Sequence, residues 1–196
     1  GIAGGPVDKS WLLIRAMAAK RDGLDLDAAV EKIFGAPPLL NEQIQLGEID
    51  AVINNWNFVA QLEAKGYRKI IGAEEAAHDL GIKTAVPLLG YVFDEDWAAA
   101  HKADMLGLIE ASRQAKKILA ESDGEWQRLR PMMKAPDDAT FEALRNGFRS
   151  GIPKVWSDKE RADAEKLFAI MAKLGGEELV GKSATLQPGT FWADIS

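Results

Sequence analysis

The chain has 196 residues, 47% of them apolar and 28% charged, enough to bury a core and unlike a disordered chain. Its formal net charge is −6, and its lysines and arginines are scattered rather than clustered, which argues against nucleic acid and anionic membrane surfaces as partners. With no cysteine it can form no disulfide, thiolate zinc site or cysteine nucleophile, and its longest nearly apolar run, residues 85–93, falls far short of the roughly 20 residues a bilayer requires.

Residues 1–5 read as the end of a strand already under way, so the sequence is expected to begin in mid-protein. A helix over residues 10–20 follows, with Leu13, Ala16 and Met17 on one face. Residues 32–36 read as a second strand. Pro37 and Pro38 then open a helix through Leu39, Leu40, Gln43 and Ile44, with Pro38 suited to its first turn and Gly47 to its C-terminal cap.

The compact run 49–53 is predicted as a buried parallel strand, followed by a helix to about Lys65 that Gly66 closes. A strand over 68–71, a short helix over 74–80 and a last strand over 86–93 complete this part. The alternation of short apolar runs with helical patterns is that of βαβ units around a mostly parallel sheet.

Beyond residue 93 the pattern is nearly all helical, over 95–101, 104–120, 124–133, 138–149 and 158–174. In the second of these Leu108, Ile109, Ala115, Ile118 and Leu119 fall in register. Ser122 with Glu125, and Ser157 with Glu160, have the spacing at which a serine caps a helix and a glutamate three residues later reaches back. Residues 175–196 read as an irregular tail pinned by Phe191 and Trp192. There is no internal repeat and no low-complexity tract.

Two loops stand out. Gly4-Gly5-Pro6-Val7-Asp8-Lys9-Ser10-Trp11 lies between a strand and a helix, where backbone N–H groups and a helix N-terminus can hold an anion. Ser10 could add a hydroxyl donor and Lys9 a full charge, whereas Asp8 would suit an amine; equally, Asp8 or Ser10 could be a plain helix cap in a tight turn. The glycines spell neither a dinucleotide fingerprint nor a phosphate loop.

Asn54-Asn55-Trp56-Asn57 ends the next strand. Asparagine both donates and accepts, and a tryptophan face can cover an apolar or cationic group, although capping, turning and core packing would use the same residues. Tyr91, after Gly90 in the last strand, is a third candidate with core packing as its competing role. His78 and His101 have no partner at ligand spacing, so no metal or other cofactor is expected. Asp94, Glu95 and Asp96 suit the first turn of a helix better than a catalytic pair.

Taken together, Gly4-Gly5-Pro6-Val7-Asp8-Lys9-Ser10-Trp11, Leu40-Asn41-Glu42-Gln43 leading to Leu46-Gly47-Glu48-Ile49-Asp50-Ala51, and Leu88-Leu89-Gly90-Tyr91-Val92-Phe93 resemble the nitrate, sulfonate and taurine group of ABC-importer substrate-binding proteins. The resemblance runs over most of the chain and rests on the order of these pieces, none of which is diagnostic alone. It implies an α/β fold like the type 2 periplasmic binding proteins: a second ligand-binding lobe over residues 1–85, then a crossover strand and a helical C-terminal region over 86–196, with the first lobe missing. The loop holding Asp8 and Lys9 departs from the small Gly-Ser/Thr-rich loop common in that group.

What the resemblance implies for function is capture of a small, anionic organic solute and its delivery to a membrane permease. The protein would be periplasmic, would perform no chemistry, and would associate with itself through an uncovered apolar face. The ligand contacts would come from Gly5, Pro6, Asp8, Lys9, Ser10, Asn54, Asn55, Trp56, Asn57 and Tyr91. Two alternatives use the same fold. An enzyme like the thiamine-pyrimidine synthases lacks here its cysteine-rich motif and well-placed histidines, and a ligand-sensing domain would differ only in its flanking sequence.

Overall fold

The computed structural model describes residues 1–192 and divides the chain into two compact units, Gly1–Val86 with the chain from Pro153 onward, and Pro87–Ile152. In the first unit β1 (Ile2–Ala3) pairs in parallel with β2 (Phe34–Gly35), in the register Ile2 to Phe34 and Ala3 to Gly35. On the other side of β1 a single parallel bridge joins Ile2 to Ile53. Around these short pairings pack α1 (Lys9–Asp22), α2 (Leu26–Ala29), α3 (Pro37–Leu46), α4 (Trp56–Ala64), α5 (Ala73–Asp79) and the long α10 (Asp158–Val180).

The core of this unit joins three helices. Leu13 and Met17 of α1 meet Ala76 and Ala77 of α5, Ile82 just beyond it, and Leu167 and Met171 of α10. A smaller contact seats α3 on the strands: Leu40 has no exposed surface, and a β-carbon on Gly1 or Gly35 would approach its side chain to 2.9 or 3.1 Å. Those two glycines let the helix lie close against the strand backbone.

Hydrogen bonding fixes the ends of α10 and the loop beside it. Ser157 and Glu160 form the expected reciprocal cap, the glutamate accepting from the Ser157 backbone N–H at 2.7 Å. One turn on, the buried Asp163 carboxylate accepts from the Lys83 and Thr84 N–H groups at 2.7 and 2.9 Å, from the Thr84 hydroxyl at 3.1 Å and from Lys166 Nζ at 2.8 Å. These donors hold its pKa far below the usual carboxylate range, the Lys166 bond most of all. Helix α10 continues past the expected end at Leu174 to Val180, with a break at Gly176, whose φ of 59° and ψ of −158° are open only to glycine. In the tail, Phe191 meets Trp156 edge to face at 5.0 Å; residues 193–196 lie outside the described range.

The second unit consists of α6 (Glu95–Ala100), α7 (Lys102–Glu121), α8 (Asp123–Leu129), a 3-10 turn (Arg130–Met132) and α9 (Asp138–Ser150). Trp126 anchors it, donating from Nε1 to the Leu119 carbonyl at 2.6 Å and meeting Phe148 edge to face. Arg149 donates to the same carbonyl and pairs with Asp123. Ser122 caps α8, but Glu125 turns away from the expected reciprocal bond to pair with Arg128 at 2.8 Å. Of α7 only Met105 is fully buried, and Leu108 and Ile118, expected in helical register, are about half exposed.

The expected α/β lobe of the periplasmic binding protein type is corrected here. Among the described residues the fold is 60% helical with only 3% strand, mostly helical and carrying one two-stranded parallel sheet. The runs at 68–71 and 86–93 enter no ladder among the described residues, and 49–53 pairs only at Ile53. A short apolar run becomes a strand only where a neighbour satisfies its backbone, and its apolarity does not supply that neighbour. Pro87 removes a ladder donor and Gly90 weakens strand preference in the last run, whose Leu89 and Val92 are 86% and 96% exposed.

Candidate functional site

The polar loops singled out in the first unit converge for a topological reason. Because β1, β2 and residue 53 run in parallel, their continuations leave at one edge, and each enters a helix: α1 after Asp8, α3 after Ala36, α4 after Asn55. The register is held by Ile2 N–H to the Ile33 carbonyl at 2.8 Å, Ala3 N–H to the Ile53 carbonyl at 3.0 Å and Ile53 N–H to the Gly1 carbonyl at 2.8 Å. Three helix N-termini, each with partial positive charge, therefore face the same edge.

The first loop turns sharply. Gly4 and Gly5 have φ of 96° and 86°, conformations that side chains rarely adopt, and a β-carbon on Gly4 would lie 3.0 Å from Asp8 Oδ2. Asp8 caps α1, its Oδ1 accepting from the Trp11 N–H at 2.9 Å, so its carboxylate is committed to the helix. Pro6 is exposed. Lys9 and Ser10 open the helix, half-buried, with no side-chain partner among the described residues.

The asparagine loop divides into scaffold and available groups. Asn54 donates to the Pro37 carbonyl and to Asn41 Oδ1, both at 2.9 Å, and accepts from the Asn55 N–H at 2.8 Å. The buried Asn41 donates in turn to the Phe58 carbonyl at 2.9 Å, so the pair ties the starts of α3 and α4 to the strand end. Asn55 and Asn57 have no side-chain hydrogen bond among the described residues, and Trp56 is half exposed. Alanine at Asn54 would leave the buried Asn41 Oδ1 without its donor and is expected to lower stability by about 1–3 kcal/mol in a urea titration.

Tyr91 belongs to the second unit. Its hydroxyl lies 3.1 Å from Ser112 Oγ and the Lys116 ammonium sits 5.8 Å from its ring centre. The structure thus gathers Gly5, Pro6, Asp8, Lys9, Ser10, Asn54, Asn55, Trp56 and Asn57 at one strand edge and places Tyr91 in a different unit.

Sequence reasoning passed over a groove between α3 and α4 of about 360 Å³, lined by Pro38, Asn41, Glu42, Gln45, Leu46, Phe58, Gln61 and Lys65. Its walls were legible as helical spacing: Pro38, Glu42, Gln45 and Leu46 recur on one helix face, and Phe58, Gln61 and Lys65 on the next. Among the described residues no group of His, Asp and Glu could hold a metal, and no helix is long and apolar enough to cross a membrane. No family model matches the chain, and no curated protein shows significant similarity to it. The likeness to the nitrate, sulfonate and taurine group therefore rests on the quoted residues alone.

Proposed function

We propose that the chain captures a small organic anion at the edge where α1, α3 and α4 begin, without performing chemistry on it. The observation that carries this reading is the convergence of three helix N-termini on one strand edge, beside Lys9, Ser10, Asn55 and Asn57, whose side chains are not engaged among the described residues. Backbone dipoles and one ammonium favour negative charge there, and the Gly4–Gly5 turn allows the main chain to come close to a ligand. Asp8, its carboxylate held at the start of α1, disfavours a second negative charge, so a monoanion with an apolar part suits this edge. Trp56 offers a face for that part.

The resemblance of the three quoted segments supports a transport setting, in which the captured solute is handed to the membrane permease of an ABC importer from the periplasmic side. The function rests on the site and the residues, not on the fold expected at the outset.

The test is thermal unfolding of the chain with sulfonates, taurine, nitrate, bicarbonate and carboxylates in turn. A ligand at 1,000 times its Kd adds about 4 kcal/mol of stability. One anion class is expected to raise the midpoint by several degrees, and Lys9→Ala and Trp56→Ala each to reduce that rise, measured from each variant's own unliganded midpoint. No rise with any anion, or full rises in both variants, would overturn the assignment.

A further inference from the structure

We propose that the groove between α3 and α4 is a separate binding site for a small zwitterion, a molecule bearing an ammonium group and a carboxylate a few bonds apart. Glu42 on α3 is exposed and makes no ion pair among the described residues. Lys65, at the end of α4, lines the same groove: its ammonium donates to Gln45 Oε1, while Gln45 Nε2 donates to the Asn41 carbonyl at 2.5 Å. Glu42 and Lys65 do not pair with one another, so the groove presents two opposite charges at separate places.

Hydrogen bonds join the two helices around them. Asn41, buried, is bonded to both Asn54 and Phe58, which fixes how α3 and α4 run past each other. Because both helices start at the same strand edge they run the same way, and contacts match in order along them: Asn41 with Phe58, then Gln45 with Lys65. Glu42 thus precedes the Gln45–Lys65 pair by about 4.5 Å of helix rise. A ligand ammonium at Glu42 places its carboxylate beside the two remaining Lys65 donors and within the groove that Gln61 lines. The connecting carbons would rest on Phe58. A lone anion would leave the Glu42 carboxylate facing it, and a lone cation would face Lys65, so a molecule with both poles is favoured over either.

β-Alanine is the probe, titrated by calorimetry and by amide chemical shifts, beside propionate and ethylamine as single-pole controls. Saturable binding of β-alanine is expected, at least ~10-fold tighter than either control, with Glu42→Gln and Lys65→Met each weakening it ~10-fold or more. Saturating amide shifts with β-alanine are expected in residues 42–46 and 58–65; shifts confined to residues 4–10 and 54–57 would assign the binding to the strand edge instead and overturn this site. Both variant positions are exposed, and circular dichroism checks that they fold. Binding no tighter than propionate's, an unchanged affinity in either groove variant, or no saturation up to ~50 mM would each overturn the proposal.

Discussion

Leu13→Ala is expected to lower unfolding stability by about 2–5 kcal/mol in a urea titration, which is roughly 5–15 °C in the thermal midpoint of a chain this size. Leu13 is 1% exposed and lies where α1, α5 and α10 meet, against Met17, Ala77, Ile82, Leu167 and Met171. Removing its branched end takes away apolar surface from all three helices at once. The cavity left behind can close only if a helix moves, and the Asp163 bonds to residues 83 and 84 resist movement of α10. A loss below about 1 kcal/mol would mean that the three helices do not share a core.

The second large effect is pH-dependent and centres on Asp163. Its pKa is depressed by Lys166, by the Lys83 and Thr84 N–H groups and by the Thr84 hydroxyl. A carboxyl whose folded value lies below its unfolded value near 3.8 contributes stability that is fully present above that unfolded value and fades as pH falls through the folded one. Glu160, lowered chiefly by its bond from the Ser157 hydroxyl, acts in the same direction. The wild-type thermal midpoint should therefore fall steeply below about pH 4.

Asp163→Leu should cost roughly 5 °C or more at neutral pH, because two part-buried N–H···O bonds and a hydroxyl bond lose their acceptor together. The same variant should also flatten the acid limb of the profile, leaving the share due to Glu160 and the exposed carboxylates. An acid limb as steep in Asp163→Leu as in the wild type would show that the carboxylate does not carry the linkage.

Helices were far more legible in the sequence than strands. A helix satisfies its backbone within itself, so spacing and caps are enough to announce it: Asp8 before α1, Gly47 after α3 and the Ser157–Glu160 pair before α10 all act where the pattern puts them. A strand depends on a neighbour distant in sequence. Residues 86–93 carry the apolarity of a strand and still pair with nothing among the described residues, while residues 2 and 3 pair on both sides.

The candidate site was legible for the same reason in part. Gly4, Gly5, Asp8 and the asparagines announce turns and helix starts, and wherever the short strands pair in parallel those starts share an edge. What the sequence could not supply was the division of labour within Asn54 to Asn57, because only the fold brings Asn41 and Pro37 to Asn54. The groove depends likewise on α3 and α4 lying side by side, which neither helix reveals alone.

The first unit is completed by chain that comes after the second. Leu167 and Met171 close a core whose other members, from Leu13 to Ile82, are translated between 85 and 158 residues earlier, and Asp163 reaches back to Lys83 and Thr84 across 80 and 79 positions. During synthesis the amino-terminal helices must therefore wait, with Leu13, Met17 and Ile82 uncovered, while all of Pro87–Ile152 emerges. The helical second unit, built from local contacts, can settle first, and docking of α10 becomes the long loop closure that sets the pace. A ribosome stalled near residue 152 would hold a nascent chain with a sticky, unfinished first unit, the stage at which a chaperone has most to do.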